Sequence, residues 1–291
     1  MSIIEFKGKP VEKLIEVISS GIGVLYTPRK IRTEARAEAE RNLTLAKARA
    51  EEMLIMNDAE NELASRAGQR IIHQELSRQK NIEDIADKVL EYLGDSTSET
   101  PLEKDWKDRF FTKAQDVSNE ELQEIWAKIL AEELTSPGST RLKTLDVLSN
   151  LSKIEASYFN TACSLVLEDG ILIELKLDEL GNRYYGMSYG QILVLVEAGL
   201  IHQGSLSMTY HFIEFLNSCM LRFGKMAILC KIGNGNHLQL SHLSFTNAGV
   251  ELMHALKPEK NEQHINEIVE SLKNKGVETR VSASNALTPF I

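Results

Sequence analysis

Gly186-Met-Ser-Tyr-Gly190 matches G-x-S-x-G, the pattern of a tight strand-to-helix turn that presents a serine hydroxyl for acyl transfer. Tyr184-Tyr185 can end a strand before it, and an apolar helical run follows it. Acyl transfer from Ser188 needs a histidine to take its proton and an acid to orient that histidine. No aspartate occurs after Asp178, so Glu197, Glu214 or Glu251 would have to serve. The alternating strand–helix series of a hydrolase is absent. A turn in which Ser188 caps a helix uses the same residues and needs no other group.

The remaining chemistry-bearing residues do not converge. Glu132 and Glu133 are adjacent, and Glu120, Glu121 and Glu124 cluster nearby. Neighbouring helical residues diverge by about 100°, so a solvated acidic face is expected rather than an acid–base pair. Seven histidines show no H-E-x-x-H or paired spacing. His237 and His242 point to opposite faces of a regular strand, and His73 has no helical ligand partner. Gly233-x-Gly235 lacks the third glycine of a dinucleotide fingerprint, and no Walker-type loop is present. The sequence therefore predicts no catalytic residue, no cofactor site and no metal site, and a protein that is not an enzyme.

The chain has 291 residues, 43% hydrophobic and 26% charged, an ordinary globular balance. Its net charge of −9 gives no global pull towards nucleic acid or anionic lipid. Three cysteines without a C-x-x-C pair suit a reducing compartment. No secretory leader pattern opens the chain and no run of about 18 apolar residues occurs. A cytoplasmic location is expected.

The elements that hold these residues begin with an apolar stripe, Val11, Leu14, Ile15, Ile18, Ile22 and Leu25, at helical spacing. Arg29, Lys30 and Arg32 follow it. The stripe is a candidate membrane or partner face; its commoner use is to pack on the protein's own core. Thr33–Arg78 lacks proline, and its only glycine is Gly68. A continuous helix there would span on the order of 65–70 Å. A heptad frame places Leu43, Ala46, Ala50, Met53, Asn57, Ala64, Ala67 and Ile71 on one seam, a candidate self-association face in which Asn57 sets register. Asn81 is expected to cap a further helix whose face is Ile82, Ile85, Ala86, Val89, Leu90 and Leu93. Gly94 stops it, and residues 95–101 read as a linker.

From 102 to 168 the apolar spacing, caps and breakers agree on a compact helical domain. Trp106, Phe110, Phe111 and Ala114 form a first face. Ser118…Glu121 and Ser152…Glu155 both have the capping-box spacing. Leu122, Ile125, Trp126, Ile129, Leu130 and Leu134 run between them until Pro137-Gly138.

The string from Asn119 to Ala156 resembles the bacterial family catalogued as domain of unknown function 2806. The resemblance extends to Gly21-Ile-Gly23, Pro28 and Ile31, the Ala/Glu/Arg-rich helix and the Trp-containing core. It implies no activity and no site residues; its one functional hint is a phage-linked or defence setting.

Beyond residue 169 the period changes. Residues 170–175 read as a strand, 188–198 as a helix, and 225–232 with 237–243 as a hairpin about Asn234-Gly235. Thr246 caps a following helix; 259–275 is helical, and 277–281 is a last strand. The order helix, Gly199-Leu-Ile201, hairpin, Thr-capped helix resembles a winged helix. It departs where DNA would be read: Gln191 to Ala198 offers only Gln191 and Glu197, and residues 170–291 hold ten Lys/Arg against eleven Asp/Glu.

The expected fold is mainly α: an extended N-terminal helical region at 1–94, a linker at 95–101, a helical core at 102–168, an α+β winged-helix-like domain at 169–281 and a tail at 282–291. The expected function is that of a non-enzymatic interaction or scaffold protein that forms a homo-oligomer or binds a protein partner. The alternatives are a nucleic-acid-binding regulator acting through the C-terminal domain and a peripheral membrane effector acting through the N-terminal helix.

Overall fold

The computed structural model describes residues 8–24, 26–28, 60–177, 183–204, 206–211, 218–232 and 237–283. The chain divides into two compact units, Met1–Leu145 and Asp146–Ile291. The architecture is α+β rather than mainly α: the described helices run through both units, and small antiparallel sheets belong to the second.

In the first unit, α1 (Lys9–Ile22) packs on α3 (Lys104–Ala114), and α2 (Glu60–Tyr92) packs on α3 and α4 (Glu120–Thr135). Apolar side chains drive this. Ile18, Ile82, Ile85, Ala86, Phe110, Phe111, Ala114 and Leu130 converge on one small apolar gap. Phe110 stacks on Trp106 and meets Trp126 edge-on, with both centroid separations 5.1 Å, a favourable aromatic geometry. Trp106 Nε1 donates to the Thr140 carbonyl at 2.8 Å, so the buried indole keeps a partner.

Three local expectations change here. Asn81 does not begin a helix; it lies inside α2, where its Nδ2 donates to Gln115 O at 2.8 Å. A tertiary partner has taken the side chain that a cap would use. The cap of α4 is Asn119, which accepts from the Leu122 N–H, so the expected Ser118 box is one residue out of register. Glu133 is not on a solvated face. It is 2% exposed and accepts from Gly138 N (2.6 Å), Ser139 Oγ (2.9 Å) and Thr140 N (3.0 Å). Its carboxylate folds the Pro137-Gly138 turn back onto α4. Glu120 and Glu121 are exposed, as expected. The 95–101 stretch has no helix or strand, but Ser98 N–H donates to Leu134 O at 2.9 Å and ties it to α4.

The helix α5 (Leu142–Ser149) lies across the division between the units. The second unit continues with α6 (Lys153–Leu165), which starts with the expected Ser152/Glu155 capping box. Then come β1 (Ile171–Ile173), β2 (Lys176–Leu177), β3 (Arg183–Tyr184), α7 (Tyr189–Glu197), β4 (Leu206–His211), β5 (Ser218–Phe223), β6 (Met226–Ile232), β7 (His237–Ser244), α8 (Asn247–Leu256), α9 (Glu262–Asn274) and β8 (Val277–Ala283). The sequence boundary at 168/169 would place α6 with the preceding helices. In the structure α6 packs with the sheets' unit: the Phe159 and Phe245 rings lie 5.4 Å apart, and Lys260 reaches the α6 carboxyl end.

Among the described residues, two three-stranded antiparallel sheets form, ordered β1-β7-β4 and β5-β6-β8, beside the β2-β3 pair. The expected hairpin about Asn234-Gly235 is not made, because β6 and β7 belong to different sheets. The tight turn is instead Gly224-Lys225, where Phe223 pairs with Met226 and Gly224 has φ +62°, the positive φ that two-residue hairpins require. Strand β7 pairs with β4 from Leu206↔His242 to His211↔His237. Both sheets and α9 share one core that includes Ile173, Leu221, Ile228, Leu240, Ile268 and Leu272.

Candidate functional site

Ser188 is where a nucleophile would stand, and the structure uses it as a cap. Its Oγ accepts the Gln191 N–H at 3.3 Å and donates to Gln191 Oε1 at 3.0 Å, while Gln191 Oε1 accepts the Ser188 N–H at 3.0 Å. This reciprocal pairing satisfies two free donors at the start of α7. A histidine does approach the motif: a Cβ on Gly186 would sit 2.6 Å from His264 Nδ1. His264 is buried, with Nδ1 3.9 Å from Glu267 Oε2. Burial lowers its pKa from the ordinary 6.5, with Glu267 pulling the other way. The hydrogen bonds of Ser188 go to Gln191, so the three residues do not form a proton relay.

Other reactive side chains are built into the second unit. Lys260 donates from Nζ to Cys163 O and Val166 O, both at 2.8 Å. Its ammonium thereby caps the carboxyl end of α6, where free carbonyls and the helix dipole favour a cation. Burial lowers its pKa, opposed by Cys163 and Glu168. Burial also raises the Cys163 thiol. Cys219 and Cys230 face each other across β5 and β6; their mutual hydrogen bond lowers the first and raises the second. No spacing in the sequence signals these contacts, since each depends on strand register or a distant loop. Among the described residues no group of three or more His, Cys, Asp or Glu is placed to hold a metal ion.

The amphipathic stripe of α1 faces inward. Leu14 and Ile18 are 0% exposed, Val11, Ile15 and Ile22 are half-buried, and Leu25 lies outside the described residues. In this packing the centre of the stripe belongs to the unit's core and is not offered to lipid. Among the described residues no helix is long and apolar enough to cross a membrane.

The candidate self-association face divides differently. Leu43, Ala46, Ala50, Met53 and Asn57 lie outside the described residues. Ala64, Ala67 and Ile71 sit on the first half of α2, where Ala64 is exposed and Ala67 half-buried. Ile71 is 56% exposed, and Leu63 beside them is 69% exposed. The second half of the same helix buries Ile82, Ile85, Ala86 and Val89. Arg78 marks the change: it bonds to Asp116 at 2.9 Å and Glu75 at 2.8 Å. A second apolar pair is exposed on α7, Tyr189 at 51% and Leu193 at 48%, one helical turn apart.

Among the described residues, Ser188, Lys260 and Glu133 are used in caps and a turn. No curated protein and no solved structure matches the chain. One family's sequence pattern matches residues 65–269, more than half of the chain, and on that match this chain belongs to the family described as Protein of unknown function (DUF2806).

Proposed function

We propose that this chain is a non-enzymatic interaction protein that self-associates through the first half of α2. The observation that carries this is the exposure of Leu63 and Ile71 on a helix whose other half buries its isoleucines and valine. Large aliphatic side chains on one stripe lose about 1.5–3 kcal/mol each by staying in water, and a second helix relieves that cost. The phage-linked setting rests on the family resemblance alone.

Sedimentation of the full chain tests the reading. The native chain is expected to run as a dimer or larger species across micromolar concentrations, and Leu63→Glu/Ile71→Glu to run as a monomer with an unchanged circular-dichroism spectrum. A monomeric native chain overturns it. A truncation starting at Asn81 is unsuitable, because it would cut α2 in its middle.

The second unit supports another reading, a winged-helix-like module that binds nucleic acid. In its favour, α7 leads through Gly199 to the paired strands β4 and β7, and the Thr246-capped α8 follows. Against it, the exposed residues of α7 include Tyr189, Leu193 and Glu197, and no Lys or Arg. Phosphate contacts need cations, so the surface fits a protein better. Duplex-DNA titrations at two salt concentrations separate the readings: a steep loss of affinity with salt favours nucleic acid.

A further inference from the structure

The sheet β5-β6-β8 carries a row of three reactive side chains. Cys219 on β5 is directly opposite Cys230 on β6, and Thr279 on β8 is opposite Cys230 on its other side. Paired residues of neighbouring strands place their side chains on one face. Here it is the face that takes Leu221 and Ile228 into the core. The turn at Gly224-Lys225 fixes the kind of pair. Phe223 and Met226 close it, and the closing pair of a two-residue hairpin turn is a hydrogen-bonded one. Hydrogen-bonded and non-hydrogen-bonded pairs alternate from there. Cys219 and Cys230, four pairs further on, are therefore again a hydrogen-bonded pair, with Cα atoms about 5.5 Å apart. That separation lies inside the range of about 4.4–6.8 Å that a disulfide spans.

The two thiols are not equivalent. Cys219 is 9% exposed and Cys230 0%. Their mutual hydrogen bond favours the Cys219 thiolate and holds the proton on Cys230. A thiolate is the attacking species in thiol–disulfide exchange, so the outer cysteine is the one set to react first. The inner one has help at hand: Thr279 Oγ1 is buried without a hydrogen-bond partner, so its O–H is free to donate to the Cys230 sulfur as that proton leaves. Cys163 offers no such arrangement. It lies on α6, is 0% exposed, and burial raises its pKa.

We propose that Cys219 and Cys230 form a reversible dithiol–disulfide switch that exchanges with a small-molecule disulfide, R–S–S–R. The Cys219 thiolate attacks one sulfur of R–S–S–R. A Cys219–S–S–R bond forms, the small molecule's own S–S bond breaks, and RS⁻ leaves with the electron pair. Cys230, no longer bonded to a thiolate, loses its proton and attacks Sγ of Cys219. The Cys219–Cys230 bond forms and a second RS⁻ leaves. The two thiol protons end on the two leaving groups as RSH, so the chain is oxidised by two electrons and the small disulfide reduced by two. The product staples β5 to β6 in the register that β8 completes, and excess RSH reverses it.

Equilibration of the full native chain in glutathione buffers, from fully reduced to fully oxidised, tests it. Samples are quenched in acid and read by intact mass and peptide mapping. In oxidised buffer the folded chain should lose two hydrogen atoms and yield a linked Cys219–Cys230 peptide, with Cys163 still a free thiol. Added reduced glutathione should restore the dithiol. Cys230→Ser should stop with one glutathione on Cys219, and Cys219→Ser should take up none. A native chain that stays dithiol in oxidised buffer, or that forms the bond only after urea unfolds it, overturns the proposal. Linkage through Cys163 overturns it as well, and so does glutathione on Cys230 of folded Cys219→Ser. Should either serine variant fail to fold, the peptide map of the native chain decides by itself.

Discussion

The Phe111 ring lies in the space that a side chain on Gly21 would need. A Cβ at that position would overlap the ring's Cδ2 and Cε2, so α1 and α3 approach through a missing methyl group. Lys107 Nζ donates to Ser20 Oγ at 2.8 Å beside this contact. Gly21→Ala should destabilise the chain by about 1–3 kcal/mol through overpacking, despite the better helix propensity of alanine. Urea titration checks this; an unchanged midpoint would show that Phe111 has room to move.

The turn after α4 depends on one buried carboxylate. Glu133→Ala leaves the Gly138 and Thr140 N–H groups and the Ser139 hydroxyl without their acceptor. Of these donors Thr140 is buried, and an unsatisfied buried donor costs about 1–3 kcal/mol. A total loss of about 2–4 kcal/mol is expected, with Glu133→Gln less affected because an amide oxygen still accepts. Thermal unfolding of the two variants side by side provides the comparison.

His264 makes the second unit sensitive to acid. Burial holds its pKa below the ordinary 6.5. The unfolded chain therefore binds the proton first, and stability falls as pH drops from 6.5 through the folded value. Above 6.5 the contribution is complete. Replacing the ring with His264→Gln should flatten the dependence of the urea midpoint on pH between neutral and mildly acidic buffers. An equally steep slope in the variant would assign the acid response to other groups.

Ser188 should behave as a cap and not as a nucleophile. Ser188→Ala is expected to lose about 0.5–2 kcal/mol, whereas Ser188→Asp, another good cap, should retain most of it. Denaturation of both variants checks the cap, and an equal loss in Ser188→Asp and Ser188→Ala would show that the cap contributes little.

Local chemistry was legible before the fold was known. Ser152, Ser188 and Thr246 all cap helices, because capping needs only a side-chain oxygen and N–H groups three residues on. The core faces of α3 and α4 were legible from period alone. Failures came where a distant partner decided. Asn81 has cap chemistry, but the Gln115 carbonyl claims it. The hairpin failed because Asn234-Gly235 says nothing about which strands lie beside β6 and β7. Glu133 was misplaced because helical spacing does not reveal a turn folding back over its own helix. A signal was present in the Ser136-Pro-Gly-Ser-Thr140 stretch, which starts three residues after Glu133 and whose small residues and N–H groups need an acceptor. For the candidate site, the heptad frame marked Ala64, Ala67 and Ile71. It could not show that α3 and α4 bury the helix face only beyond Arg78, which depends on where α3 ends.

Strand β6 lies between β5 and β8, and β8 follows α8 and α9 in the chain. During synthesis on a ribosome, the β5–β6 hairpin emerges with one edge bare, and that edge waits for two further helices before its third strand arrives. Ile228 and Cys230 are opposite Val281 and Thr279 in the finished sheet. Until that late strand docks, the nascent hairpin is a sticky template, and the order of translation makes its closure one of the last events in the folding of this unit.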